Sequence, residues 1–145
     1  MADLMLSLVY TSRALIEAAA RARVLDDLRA CSIARNSALD ITGILIATPW
    51  HFAELLEGPN CNIEAVMASI LADPRHCDVR IARRSGAERI PFPTWQIARF
   101  EGEGTGAGSV GQLLAAVHQE DDGANLRKLD RLFQAIALDR VGARL

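Results

Sequence analysis

The chain has 145 residues, half of them hydrophobic, and a formal net charge of −2 at pH 7. This length and apolar content suit one globular domain with a buried core and a short appendage. The charged residues form no long basic block, which argues against nucleic acid or an anionic membrane as the main partner. No apolar run is long enough to cross a bilayer. The three cysteines fit neither a CxxC metal motif nor a disulfide framework, so we expect a cytoplasmic protein with reduced thiols.

The first part of the chain predicts a strand, a helix and a hairpin. Residues 4–10 form a short apolar run that is followed by two hydroxyl residues, as expected for a strand. Residues 13–23 have good helix propensity but a poor apolar stripe, and they fit a loop or a helical lead-in. Residues 24–36 repeat apolar side chains at helical spacing. Residues 39–58 contain two β-rich runs around a turn at 48–50, which predicts a hairpin.

The next segments predict a second helix and two further strands. NIEAVMASILADP repeats apolar residues with a period near 3.6, and Asn60 or Asn62 is its expected N-cap. CDVRIARRSGAERI predicts a strand with a turn at Gly86, and WQIARF alternates as another strand. The order β-α-β-β-α-β predicts an α+β, ferredoxin-like fold, in which two helices pack on one face of an antiparallel or mixed sheet.

The composition changes after residue 100. The run EGEGTGAGSVG carries five glycines, so we predict a domain at 1–100 and a flexible linker at 101–109. Residues 110–145 predict a C-terminal extension of two amphipathic helices, with an apolar stripe from Leu126 to Ile136. These helices are too short to fold alone, so they must dock on the sheet or on another chain.

A carboxylate interrupts the second strand of the hairpin. In HFAELLEGP, Glu54 shares a strand face with Phe52 and Leu56, because successive side chains of a strand point to opposite faces. A bulge that turns Glu54 outward is the structural alternative.

Three other residues have ordinary structural interpretations when taken singly. Tyr10 fits a core tyrosine with a bonded hydroxyl, Asn36 a helix C-cap, and Trp95 a sheet residue at the core edge. The three histidines have no Cys or His at ligand spacing, so we expect no metal site. Neither a phosphate-binding glycine loop nor a nucleophile elbow is present.

Taken together, the motifs resemble the BLUF domain, a flavin-binding sensor of blue light. LVYTSRA, CSIARNSALDITGILI, FAELLEGP, ADPRHCDV and ERIPFPTWQI follow the order and spacing of that family over residues 4 to about 100. The spacing from Asn36 to Thr42-Gly43 and the LEGP hairpin end are specific in combination. The resemblance implies a ferredoxin-like fold with a flavin, usually FAD and with FMN possible, between the two helices.

The resemblance also implies roles for individual residues. Tyr10 matches the tyrosine that donates an electron and a proton to the excited flavin, and Trp95 matches the tryptophan of the last strand. Asn36 matches the asparagine at the polar edge of the ring, where an amide can donate and accept at once. The other side chains expected at the cofactor are Leu25, Leu28 and Ser32 on one side of the ring, Ile63, Val66 and Met67 on the other, and Arg75 and His76 near the ribityl–phosphate tail. Much of the Ile63 stripe must also face the sheet, and an exposed ion pair is the alternative for Arg75 and His76.

Glu54 takes the position of the family's glutamine, the relay between tyrosine and flavin that rotates or tautomerises after light. A carboxyl group has nearly the same shape but lacks the N–H₂ of the amide. If ionised it only accepts hydrogen bonds, whereas burial should raise its pKa and keep it neutral as a hydroxyl donor. Two smaller departures are Ile97, where members often have methionine, and Arg89, which stands one residue further from Phe92 than expected.

The sequence therefore predicts a blue-light photoreceptor with an altered or impaired photocycle and no enzymatic output domain. It would signal through the sheet and the C-terminal helices to a downstream protein or within a homo-oligomer. A normal cycle through protonated Glu54 stays open. So does a flavin-free, ferredoxin-like adaptor that has lost light sensing. A small enzyme with Glu54 as general base is the third possibility.

Overall fold

Five strands form one mixed sheet. In the computed structural model, which describes residues 4–87, 94–100, 107–119 and 123–142, their order is β4-β1-β3-β2-β5. Neighbours are antiparallel except for β2 and β5, which are parallel. The strands are β1 Met5–Ala14, β2 Thr42–Ala47, β3 His51–Pro59, β4 His76–Gly86 and β5 Trp95–Arg99, and the helices are α1 Arg21–Ala38, α2 Asn60–Ala72, α3 Ala107–Gln119 and α4 Ala124–Gly142. The ferredoxin-like α+β prediction, with two further C-terminal helices, is confirmed.

The sheet has a helical layer on each face and therefore two apolar cores. The core under α1 and α2 contains Phe52 and Leu56 of β3, whereas the core under α3 and α4 contains Ala53 and Leu55 of the same strand. Because β3 is covered on both faces, its interior is buried without interruption, which explains its near-continuous apolar sequence.

The apolar stripe of α4 covers the far face of the sheet. Leu129 and Phe133 are fully buried there, and Leu126, Leu132 and Ile136 pack against the same core. Of the two docking sites expected for this stripe, the sheet is the one that it contacts. Contact with a partner chain stays a prediction.

Several predicted element ends are displaced. β1 continues to Ala14, past the predicted end at residue 10, because β3 and β4 pair with it on both sides as far as Arg13. A short 3₁₀ turn at Ala18–Ala20 then leads into α1, which begins three residues earlier than predicted.

The predicted N-cap of α2 is wrong. Pro59 occupies the cap position, and no side chain caps the helix. The chain passes directly from β3 into α2, and the fixed φ of proline, here −59°, suits a helix start. Asn62 instead donates from Nδ2 to the Leu39 carbonyl oxygen at 2.8 Å, which ties α2 to the end of α1.

The glycine-rich segment contributes to a helix sooner than predicted. α3 begins at Ala107, so 107–109 are helical, while 101–106 lie outside the described residues. β4 ends at Gly86, where a turn was predicted. Arg89 and Phe92 also lie outside the described residues, and so the expected shift of their loop stays a prediction. No described helix has the length and apolar character needed to span a membrane.

The Thr-Gly motif requires glycine at its second position for a steric reason. Gly43 has φ +145°, and a Cβ at this position would lie 1.9 Å from the Leu55 carbonyl oxygen. Any side chain would separate β2 from β3, so only glycine allows the two strands to pair here.

Candidate functional site

Glu54 lies at the centre of a buried hydrogen-bonded group on the α1/α2 face. It is 3% exposed and stands opposite Tyr10 of β1 and Leu45 of β2 in the strand register. The Tyr10 hydroxyl donates to Glu54 Oε1 at 2.5 Å, and the Trp95 indole N–H donates to Oε2 at 2.8 Å. The side chain therefore points inward, and the alternative of an outward bulge is wrong.

Burial sets the ionisation of this group. Desolvation raises the pKa of Glu54, against the hydrogen bonds from Tyr10 and Trp95 and the positive charge of Arg35, which favour the carboxylate. Burial, with the adjacent Glu54, also raises the pKa of Tyr10 well above its usual value. The pair therefore favours a neutral phenol beside a carboxyl group that holds its proton to a higher pH than usual.

A cleft opens from this group between α1 and α2. One wall is α1, the floor is the sheet, and the other wall is the end of α2 with the segment that follows it. The side chains that line it are Tyr10, Leu28, Ser32, Arg35, Leu45, Phe52, Glu54, Ile70, Asp73, Arg75 and His76. Trp95 lines a neighbouring cavity together with Ile33 and Ile41.

Asn36 follows Arg35 on α1, is fully buried behind the residues that line the cleft, and carries an unpartnered donor. Its Oδ1 accepts from Arg35 Nε at 3.1 Å, whereas Nδ2 has no hydrogen-bond partner. A guanidinium only donates, so the amide oxygen must be the atom that faces it. Because α1 continues to Ala38, Asn36 is not the cap residue, although its carbonyl oxygen accepts from the N–H of Leu39 and of Ile41.

Two basic residues that follow α2, Arg75 and the first residue of β4, His76, are engaged within the protein. Arg75 makes an ion pair with Asp73, with Nη2 2.6 Å from Oδ2. His76 Nε2 lies 2.6 Å from the Ile70 carbonyl oxygen and Nδ1 lies 2.7 Å from Ser12 Oγ. A carbonyl only accepts, so Nε2 carries the hydrogen, and in the neutral ring Nδ1 accepts from the serine hydroxyl.

The strands and helices that form this cleft match a known protein family. A family model described as sensors of blue light using FAD matches residues 5–98. The chain belongs to the BLUF family. BLUF domains are sensory modules that bind flavin, and the resemblance found in the sequence is thereby confirmed.

Named relatives agree with this assignment. The blue light- and temperature-regulated antirepressor BluF of Escherichia coli (strain K12) is 42% identical over 59 residues, which cover 36% of this chain and 15% of that protein. The match thus spans a small part of the curated relative. BlrB, a BLUF protein in its dark state, has a TM-score of 0.73 at 26% identity, over 96% of this chain and 99% of that one.

Two further structures share the fold. BlsA in its photo-activated state has a TM-score of 0.72 at 17% identity, over 90% of this chain and 94% of that chain. BlrP1 of Klebsiella pneumoniae, with FMN and cyclic diGMP, has a TM-score of 0.63 at 24% identity, over 92% of this chain and 34% of that chain.

Some of the predicted BLUF site residues line the cleft and others lie beneath it. Those at the cleft are Tyr10, Leu28, Ser32, Glu54, Arg75 and His76. Those packed in the adjoining core are Leu25, Ile63, Val66 and Met67. The α2 stripe thus faces the sheet, and Ile70 one turn further on reaches the cleft instead.

Sequence reasoning missed other cleft residues, namely Arg35, Leu45, Phe52, Ile70 and Asp73. Phe52 could have been predicted from the sequence, because it shares the strand face of Glu54. Ile70 continues the α2 stripe by one turn. No local pattern indicates Arg35 or Asp73, whose polar side chains look like solvent-exposed residues in sequence.

One feature of the described residues directly suits a bound flavin. Asn36 Nδ2 is buried without a partner, although buried polar groups are normally hydrogen-bonded. A ring carbonyl in the cleft is an acceptor of the kind that this donor lacks. Apolar Leu28 and Ile70 on opposite walls suit the faces of an aromatic ring.

Proposed function

We propose that this protein is a flavin-binding blue-light sensor in which the Glu54 carboxyl group replaces the relay glutamine and alters the photocycle. FAD, when bound, supplies the light absorption and accepts an electron and a proton. The observation that carries the proposal is the position of Glu54 between the Tyr10 hydroxyl and the Trp95 N–H, at 2.5 and 2.8 Å.

Tyr10 is suited to deliver a proton to Glu54. Its hydroxyl already donates to Oε1 in a short hydrogen bond, so the proton has little distance to travel. Burial of both groups excludes water that could compete for that proton. Asn36, with its free N–H₂, is proposed to hold the polar edge of the ring.

A carboxyl group relays a proton differently from an amide. A neutral Glu54 can take up a proton at Oε1 and release another at Oε2, after which it is chemically the same group as before. A glutamine that rotates or tautomerises leaves a changed pattern of donors and acceptors. We therefore propose that Glu54 lets the proton move but stabilises the light state poorly, so that the spectral shift is small or decays fast.

Output is proposed to leave through protein contacts of the sheet and the α3–α4 layer, to a downstream partner or a second copy. The domain at 1–100 would hold the flavin, and 110–145 would carry the signal. The antirepressor activity in the name of the Escherichia coli relative belongs to that protein, and protein-directed output is the feature that we extend to this chain.

Flavin binding is tested by titrating flavin-free protein with FAD and comparing Asn36→Ala with Gln134→Ala, an exposed amide of α4. Asn36→Ala should raise the Kd for FAD about tenfold, the worth of one or two hydrogen bonds. In the FAD-free protein it removes the bond that Oδ1 accepts from Arg35, at a cost of about 0.5–1.5 kcal/mol, whereas Nδ2 has no bond to lose there. Gln134→Ala should bind FAD like the wild type.

A protein that is colourless as purified and takes up no added FAD would contradict the proposal. The flavin-free adaptor would then be the better description. Equal FAD affinity in Asn36→Ala and wild type would contradict the role of the amide and leave the binding site to be placed elsewhere.

A further inference from the structure

Arg35 is the cation of the cleft that has no carboxylate partner. The other arginine of the lining, Arg75, is held by Asp73, whereas no ion pair joins Arg35 to any described residue. Charges that are removed from water are usually paired in proteins. Arg35 is half-buried on α1, and its charge acts on both Tyr10 and Glu54.

Among the residues that the structure describes, the Arg35 side chain makes one hydrogen bond, to Asn36. Nε donates to Oδ1 at 3.1 Å and so fixes which end of the amide faces the guanidinium. The N–H₂ end is thereby left pointing away from Arg35, buried and without a partner. Without this donor the amide could turn over, and the two ends of Asn36 would exchange places.

We propose that Arg35 is a positioning residue of the flavin site: it orients the Asn36 amide as a donor into the cleft and supplies the positive charge beside Tyr10 and Glu54. The inference rests on the proposed flavin binding. It assigns to α1 two separable effects, one made by the directional Nε–H bond and one made by charge alone.

Two substitutions separate these effects. Arg35→Lys keeps the charge but lacks the Nε–H of a guanidinium, and Arg35→Met removes both. Arg29→Met, at an exposed position of the same helix, is the matched control. The other charged or titratable groups that face the cleft are Tyr10 from the sheet and Asp73, Arg75 and His76 beyond α2, and all of them stay unchanged.

Three quantities are measured: the Kd for FAD, the reduction potential of the bound flavin, and the pKa of Glu54 in the FAD-free protein from its infrared carbonyl band. Arg35→Met should raise the Kd about tenfold, as should Arg35→Lys, because both lose the bond that orients Asn36. Only Arg35→Met should make the potential more negative and raise the pKa of Glu54, because it alone removes a cation that favours added negative charge.

The role of Arg35 can be contradicted whether or not the wild type binds FAD. If the wild type binds FAD but Arg35→Met matches Arg29→Met in all three quantities, the inference is overturned. If the wild type binds no FAD, the proposed function fails. The charge effect of Arg35 is then tested by the pKa of Glu54 alone. An unchanged pKa of Glu54 in Arg35→Met then overturns the inference, and a raised pKa that Arg35→Lys restores supports the charge effect.

Discussion

Two carboxyl groups of β3 are buried on opposite faces of the sheet and meet different surroundings. Glu54 accepts hydrogen bonds from Tyr10 and Trp95. Glu57 is 5% exposed beneath the α3–α4 layer and accepts no hydrogen bond from the described residues. Burial raises the pKa of Glu57 to about 7, against the attraction of Arg83. One carboxyl is thus held in a defined geometry, and the other is merely desolvated.

Glu57→Gln should stabilise the protein at pH 8 by about 1–2 kcal/mol. The folded pKa of about 7 lies above the ordinary value of 4.5, so the folded state loses stability as the pH rises between these values. The uncharged amide avoids that loss, and the gain should vanish near pH 4. Urea unfolding at both pH values measures it.

Glu64→Gln is the control for this prediction, because Glu64 is an exposed partner of Arg84 on α2. It should change stability by less than about 1 kcal/mol at either pH. A Glu57→Gln protein with the same advantage over wild type at pH 4 and pH 8 would show that Glu57 is not desolvated in the way described.

Individual residues of the site were predictable to different degrees. Glu54 was found because strand alternation places its carboxyl group on an apolar face, and Tyr10 and Trp95 were found because their motifs resemble the BLUF family. The structure joins all three by hydrogen bonds. Arg35 was not found, because its place in the cleft depends on where α1 lies over the sheet. That position is set by tertiary packing rather than by the local sequence.

Among the elements, α3 is tied to the sheet by one buried histidine. His118 Nδ1 lies 2.9 Å from Thr11 Oγ1 of β1, and Nε2 lies 3.0 Å from Asp78 Oδ2 of β4. Arg80 donates to the His118 carbonyl oxygen at 2.8 Å, which satisfies a carbonyl at the helix end. The Thr–His–Asp order is that of a catalytic triad, but Thr11 is 1% exposed and lies beneath α3.

His118→Ala should loosen α3 from the sheet. It leaves the Thr11 hydroxyl without this partner in a buried setting, at a cost of about 1–3 kcal/mol. Amide hydrogen exchange in α3 should accelerate, while exchange in α1 and α2 stays unchanged.

Gln112→Ala, at an exposed position of the same helix, should leave the exchange of α3 at the wild-type rate. Unaltered exchange in His118→Ala would mean that apolar packing alone holds the helix. The sequence predicted α3 and α4 as amphipathic helices, but it could not indicate this contact. Thr11 and His118 are 107 positions apart, and neither residue breaks a local pattern.

For the molecule as a whole, β1 connects the two helical layers. Tyr10 and Thr11 are consecutive, and they face the cleft and α3 respectively. Under the proposed function, a rearrangement at Tyr10 has a short route to the C-terminal helices through this strand. The order of elements was predictable, because periodicity and turn signals are local. The use of both sheet faces was left open, because the sequence allowed α3 and α4 to dock on another chain.

Under the proposed function, the Glu54 carboxyl group occupies the relay position and limits the light response. Absorption spectra of the FAD-loaded protein before and after blue light test it most directly, in wild type, Glu54→Gln and Glu57→Gln. We predict flavin bands in all three, a reversible red shift that is larger or longer-lived in Glu54→Gln than in wild type, and a wild-type response in Glu57→Gln. Identical light responses in wild type and Glu54→Gln would contradict the account.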